Sequence, residues 1–197
     1  MIRLLHHHLR RGGVTRVMVK TAELLRDAGE EVCIVTGENP PEALPEGIGL
    51  QVIPGMGYLD EAHPTDAADL FATLSGLYDD GDLWHIHNHS LGKNPAVTDV
   101  WVRLVEAGQR VVFQPHDFAE DGRPANLTRL RDRFPGFPDR LYPIGHHLRY
   151  AVLQERDRGV LTQAGIPSGH IHLLPNPVAT ETFAPPSDPP RRILYLT

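Results

Sequence analysis

Short apolar runs alternate along the chain with stretches of helical period. The runs Ile2–His7, Glu31–Thr36, Leu50–Pro54, Leu83–His87, Arg110–Gln114, Arg149–Leu153 and His170–Leu174 are each nearly continuous in apolar character. That texture predicts parallel strands buried on both faces. Between them, Val14, Val17, Met18, Thr21, Leu25 and Ala28 fall on one helical stripe. Ala67, Leu70, Phe71, Leu74, Leu77 and Tyr78 form a second stripe, and Val97, Val100, Trp101, Leu104 and Val105 a third. All three follow the i, i+3, i+4, i+7 rule. The pairs Ala28-Gly29, Ala107-Gly108 and Ala164-Gly165 place glycine where a left-handed helix stop is wanted. The polar residues of Leu127–Phe134 and Glu155–Arg158 read as solvated helix faces.

Strand–helix alternation of this kind predicts an α/β fold, a Rossmann-like three-layer domain with a mostly parallel sheet and helices on both faces. Ligands of such sheets gather beyond the carboxyl ends of the strands. The segments to watch are therefore Arg11–Thr15, Asn88–Asn94 and Pro115–Asn126. Towards the end the texture changes. Residues 1–183 read as one domain, 184–190 (Ala-Pro-Pro-Ser-Asp-Pro-Pro) as a linker, and 191–197 as the first strand of a second domain that is missing. The alternative is that this last strand pairs back onto the first sheet.

Composition narrows the classes. With 197 residues the chain supports one full core, and 41% apolar with 22% charged residues is a globular balance. A net charge of −6 argues against an electrostatic grip on nucleic acid. The single cysteine, Cys33, excludes an intrachain disulfide framework, fits a cytoplasmic location and reads as a small buried hydrophobe. No run has the length of a membrane span or the pattern of a signal peptide. The triplet His6-His7-His8 is embedded between Leu5 and Leu9 and reads as native.

Four segments could carry chemistry. In Arg10-Arg11-Gly12-Gly13-Val14-Thr15-Arg16, two glycines open a helix. A helix N-terminus with bare backbone suits a phosphate, and Arg11 and Arg16 could add charge-assisted contacts. The spacing is neither a Walker loop nor a dinucleotide fingerprint, and a plain tight turn is the alternative. In Trp84-His85-Ile86-His87-Asn88-His89, strand alternation puts the three histidines on one face. Such a cluster could bind a metal, but no carboxylate follows at ligand spacing. The better expectation is that His87, Asn88 and His89 line a cleft while His85 is core. The strand Val112–Gln114 then runs through Pro115 into His116-Asp117 and a polar loop. There His116 could orient a hydroxyl or act as acid or base, or simply bond the loop backbone. Finally, Leu174-Pro175-Asn176-Pro177-Val178 is a proline-stiffened exit.

Taken together and in order, these segments resemble the N-terminal domain of GT-B glycosyltransferases, specifically the retaining family 4 enzymes. The resemblance rests on Gly12-Gly13-Val14, on the D-x-x-H-x-H-like run from Asp82 to His87, and on His116 after its strand. It rests also on Ala164-Gly165-Ile166-Pro167 and on the exit from Leu174 to Val178 with Phe183-Ala184-Pro185. It covers nearly the whole chain. The usual Asn-Gly-Val-Asp exit is Asn176-Pro177-Val178-Ala179 here, and the nucleotide-binding domain with its pair of glutamates is absent.

The resemblance implies transfer of a sugar from a nucleotide-sugar donor to an acceptor glycan, lipid or small molecule, with retention. It implies no metal and no cofactor beyond the donor, which is a substrate. It assigns Gly12, Gly13 and Arg16 to the donor diphosphate, and His116 as the catalytic candidate that contacts the transferred sugar. Asn88, His89, Lys93 and Asp117 fall to the acceptor cleft. Expected partners are the donor, the acceptor and the missing C-terminal domain, with peripheral membrane contact allowed but neither a transmembrane segment nor nucleic acid. As it stands the chain is expected to be inactive alone. The competing expectations are a metal-dependent hydrolase built on His85, His87 and His89, perhaps with Asp117, and a stand-alone module that binds a glycan or nucleotide. A GT-B epimerase is a variant of the same scaffold.

Overall fold

The computed structural model describes residues 1–177. Strands β1 (Ile2–His6), β2 (Val32–Thr36), β3 (Gly49–Val52), β4 (Leu83–His87), β5 (Val111–Gln114), β6 (Leu148–Val152) and β7 (Ile171–Leu173) form one sheet in the order β3-β2-β1-β4-β5-β6-β7. All six pairings are parallel, so the sheet is fully rather than mostly parallel. The seven predicted strands are all present, with ends that differ by at most two residues. The prediction of burial on both faces fails at the sheet margins. β3 and β7 are edge strands and leave most of their side chains at least partly exposed.

The helices are α1 (Gly13–Asp27), α2 (Ala67–Ser75), α3 (Pro95–Glu106), α4 (Pro124–Arg133) and α5 (Glu155–Gln163). The predicted glycine stops hold: Gly29, Gly108 and Gly165 have φ of +90°, +82° and +95°, the left-handed region that glycine enters without a Cβ clash. Leu70 and Leu74 of α2, Val97, Val100, Trp101 and Leu104 of α3, and Leu161 of α5 pack on the sheet face formed by Leu5, Val35, Trp84, Ile86, Phe113, Tyr150 and Val152. On the opposite face Met18 and Ala22 of α1 cover Leu4 and Ile34. A smaller cluster joins Val102 of α3 to Leu130 of α4, with Phe134 and Leu141. The helices thus lie on both faces, as expected of a three-layer Rossmann-like domain, but are shared unequally among the described residues.

The sheet order reverses at β1, whose neighbours are β2 and β4. A reversal opens a crevice beyond the carboxyl ends of the two diverging strands. Three connections meet there: β1 to α1, β4 to α3 and β5 to α4. The β4–α3 connection is held tightly. Gly92 has φ of +70°, and a Cβ there would lie 2.7 Å from the Asn126 carbonyl oxygen and 2.8 Å from Leu130 Cγ. Gly92→Ala therefore meets both backbone strain and a clash with backbone. We expect it to cost at least about 2 kcal/mol, read as a lower urea midpoint; an unchanged midpoint would mean the loop repacks freely.

The domain boundary expected at residue 183, the linker and the final strand lie outside the described residues, as do Val178 and Phe183 of the exit. Among the described residues no helix is long and apolar enough to cross a membrane.

Candidate functional site

At the crevice the connections enclose a cavity of about 190 Å³. Gly12, Gly13, Asn88, Lys93 and Asp117, all expected site residues, line it, together with His8, Arg10, Tyr58 and Arg123.

Gly12 is extended, with φ of 175° and ψ of 171°, a conformation any residue adopts. What glycine supplies here is access. A Cβ on Gly12 would touch only the Arg10 carbonyl oxygen at 3.8 Å, and one on Gly13 would meet nothing within 4 Å. No side chain caps α1, so its first N–H groups and the positive end of the helix face open space.

Asn88 is the one non-glycine residue with positive φ among those described, at 57°. Its Oδ1 accepts the backbone N–H of His116 at 2.7 Å and that of Asp117 at 3.3 Å. Asn88 thus ties the end of β4 to the loop after β5 and fixes where His116 stands. The same left-handed turn breaks strand alternation. His85 and His87 share a face, their rings 4.5 Å apart. His89 does not join them, which corrects the expectation of three histidines on one face. It is fully buried on the other side of the sheet, stacked on Phe113 at 3.9 Å and flanked by Tyr142 and Tyr150. It is not among the residues lining the cavity, and the grouping of His85, His87 and His89 as metal ligands loses its third member. No group of three or more His, Cys, Asp or Glu side chains among the described residues is arranged to hold a metal ion.

Arg16 is likewise apart from the cavity. With Lys20 and Glu23, one stripe along α1, it faces the loop Pro40–Pro45 across a larger groove of about 660 Å³. Arg11 also lines that groove, paired with Glu42. The groove is larger than the crevice but lies beside α1 rather than at the strand ends. The smaller crevice, where the polar groups converge, is therefore the candidate site. The groove meets the crevice at Gly12 and Thr15.

Charge in the crevice is mostly positive. Arg10 pairs with Glu38 at 2.7 Å and Arg123 with Asp117 at 3.0 Å. Lys93 makes no ion pair among the described residues; its ammonium stands 5.1 Å from the centre of the Tyr58 ring. The residue pattern alone does not single out His8, Arg10, Tyr58 or Arg123 as ligand contacts. Tyr58 and Arg123 come from the long loops before α2 and α4, where no periodicity marks which residue turns inward.

His116 is half-buried, and its Nε2 lies 2.9 Å from Nδ1 of His87. Burial lowers the His116 pKa to about 4, with Asp117 pulling the other way. His87, fully buried, falls well below the ordinary histidine value, through burial first and then through the neighbouring His85 and His116. His85, lowered to about 4 by burial against the opposing bond to Gln114, has its Nε2 2.8 Å from Gln114 Oε1. These three imidazoles do not line the cavity; near neutral pH they stand uncharged behind a lining that carries cationic Lys93, Arg10 and Arg123. The site can bind an anion and offer neutral hydrogen bonds to hydroxyl groups.

Comparison with known proteins gives the family. Residues 11–182 match the family described as Glycosyltransferase Family 4, and the chain belongs to that family. Over 187 residues it is 27% identical to Mannosylglucosyl-3-phosphoglycerate synthase of Petrotoga mobilis. That alignment takes in 89% of this chain and 36% of the synthase, so the chain spans about a third of the length of this curated relative.

Proposed function

We propose that this chain forms the acceptor-side half of a glycosyltransferase that moves a sugar from a nucleotide-sugar donor to an acceptor, with retention of anomeric configuration. The observation that carries the proposal is the crevice at the sheet reversal. There an uncapped helix N-terminus behind bare Gly12-Gly13 faces Asn88, Lys93 and Asp117 across one cavity, and Asn88 Oδ1 holds His116 beside it. Glycosyl transfer needs a place for a diphosphate leaving group beside neutral groups that hold a sugar by its hydroxyls. The helix end and the surrounding cations supply the first through charge stabilisation. His116 supplies the second, and the Asn88 amide is placed to add to it.

In this reading the donor nucleotide is held mainly by a second domain, and residues 1–177 alone do not transfer sugar. The acceptor enters past Lys93, Tyr58 and Arg123. The cationic rim fits an acceptor bearing phosphate or carboxylate, in keeping with the phosphoglycerate in the name of the Petrotoga mobilis relative. Transfer of this kind needs no metal ion and no cofactor besides the donor.

The test is a transfer assay with the chain fused to the part of the Petrotoga mobilis synthase that it does not match. Product formation is followed by mass spectrometry over a panel of nucleotide sugars. His116→Ala is expected to lower kcat/KM by about 100-fold, the loss typical of removing one group that acts in the transition state. A fall of less than about threefold would remove His116 from the reaction.

A further inference from the structure

The bond between His87 and His116 joins a fully buried ring to a half-buried one on the loop whose next residue, Asp117, lines the cavity. The two rings are within 17° of coplanar and their centroids are 5.2 Å apart. The 2.9 Å between the nitrogens, together with the two distances from nitrogen to ring centre, accounts for that whole separation. The nitrogens therefore lie on the line joining the rings. The contact is an in-plane, edge-to-edge hydrogen bond and not a stack, so one ring must donate and the other accept.

We propose that His87 is a positioning residue that donates its Nδ1–H to Nε2 of His116 and so holds His116 as the neutral Nδ1–H tautomer. Two neutral arrangements are available, and they differ at the far nitrogen of His87. That atom, Nε2, is buried and has no hydrogen-bond partner among the described residues. If His116 donated, His87 would carry its own proton on Nε2, as a buried N–H with no acceptor. If His87 donates, Nε2 holds only a lone pair. Orphaned buried N–H groups are the rarer and costlier case. The His87 ring is itself held. His85 stacks on it at 4.5 Å and is pinned by its own bond to Gln114. On the other side of the pair, Asn88 Oδ1 fixes the His116 backbone. Donor and acceptor are both located by the β4–β5 pairing.

The consequence concerns the chemistry of His116. Its Nε2 is occupied by His87, which leaves Nδ1, with no hydrogen bond among the described residues, as the atom available to a ligand. In the Nδ1–H tautomer that atom gives a proton into a hydrogen bond and has no lone pair with which to take one. His116 then holds a sugar oxygen as a neutral donor and does not serve as a base towards the cleft. This consequence rests on the glycosyltransferase reading; the tautomer itself does not.

The experiment is long-range ¹H–¹⁵N correlation spectroscopy on the ¹⁵N-histidine-labelled 197-residue chain near neutral pH, with His116 assigned by its loss in His116→Gln. The expected result is a protonated Nδ1 and an unprotonated Nε2 on His116. In His87→Phe the donor is gone, and His116 is expected to shift towards the Nε2–H form that free imidazole side chains favour. In His87→Asn an amide N–H stands near the old Nδ1 position, and the Nδ1–H form is expected to return. An Nε2–H tautomer in the wild-type chain overturns the proposal, and so does a His116 spectrum unchanged in folded His87→Phe. If His87→Phe does not fold, the wild-type spectrum decides alone. No substrate enters this measurement, so its failure is distinct from failure of the transfer assay.

Discussion

On acidification the domain is expected to unfold cooperatively with a midpoint at about pH 5, well above the range in which carboxylates usually drive acid denaturation. Five histidines, His6, His7, His85, His87 and His89, are buried. Burial is the leading cause in each, and it lowers His6 and His85 to about 4 and His7 and His89 to about 3. His87 falls well below the ordinary value. In the unfolded chain all five titrate near 6.5, so below that pH the unfolded state binds more protons than the folded one. Stability therefore rises with pH through this window. It is fully present above about 6.5 and is lost as pH falls towards the folded values. Each histidine takes up about one proton on unfolding, so the slope reaches several kcal/mol per pH unit. A domain stability of about 5–15 kcal/mol is then exhausted within roughly one to two pH units. Trp84 and Trp101 are both fully buried, which makes intrinsic fluorescence against pH a direct readout, with proton uptake measured in parallel. A domain that stays folded down to about pH 4, or unfolds there with uptake of about one proton or fewer, would show that the buried imidazoles are not kept neutral.

The second large effect is expected at Asp82, which opens the D-x-x-H-x-H-like run. The structure places Asp82 immediately before β4, at the amino end of the sheet and at the opposite end of the strand from the crevice. Its carboxylate holds the guanidinium of Arg3 on the neighbouring strand β1. It also accepts the N-terminal ammonium at 3.0 Å and the Asp79 backbone N–H at 2.9 Å. Burial alone would raise its pKa. The Asp79 N–H, the N-terminal ammonium and Arg3 outweigh burial and bring it to about 2. Its contribution is present above the ordinary value of 3.8 and is lost only as pH falls towards 2, so it does not drive the unfolding expected near pH 5.

Asp82→Ala leaves Arg3 as a buried cation whose Nε is already without a partner. Breaking a buried pair from one side costs about 3–5 kcal/mol. Replacing both members, as in Arg3→Met with Asp82→Leu, is expected to recover most of that loss. Equilibrium denaturation of the two variants checks this. Equal loss in the single and the double variant would mean that the stranded Arg3 charge is not the source of the cost. The histidines of the run and its aspartate thus do different work. His87 hydrogen-bonds His116 beside the crevice, while Asp82 fastens β4 to β1 at the opposite end.

Much of this was legible in the sequence, for a physical reason. Strands buried on both faces read as apolar runs wherever they lie, so β1, β2, β4, β5 and β6 stood out, and the α/β class followed from their alternation with helices. The edge strands β3 and β7 carried the same apolar signal, but a run of residues does not record what covers it. The crevice too could be anticipated, because ligands collect where parallel strands end. Gly12, Gly13, Asn88, Lys93 and Asp117 do meet there.

Two assignments depended on local geometry that residue spacing does not encode. Alternation sends His89 to the side of His85 and His87 only while the backbone stays extended, and Asn88 at φ of 57° ends that. Arg16 is near Gly13 in sequence, but the helical turn carries it to the stripe with Lys20 and Glu23 and so into the neighbouring groove. Tyr58 and Arg123 sit in aperiodic loops and could be placed only by the fold.

The most direct test of the central claim is sugar transfer by the fusion of this chain to the unmatched part of the Petrotoga mobilis synthase, with the anomeric configuration of the product determined by NMR. The expected result is a glycosylated product of retained configuration, formed without added metal and largely lost on His116→Ala. A fusion that folds and binds a nucleotide sugar, yet neither transfers nor hydrolyses any donor across the panel, would contradict the assignment of this chain as the acceptor-side half of a glycosyltransferase.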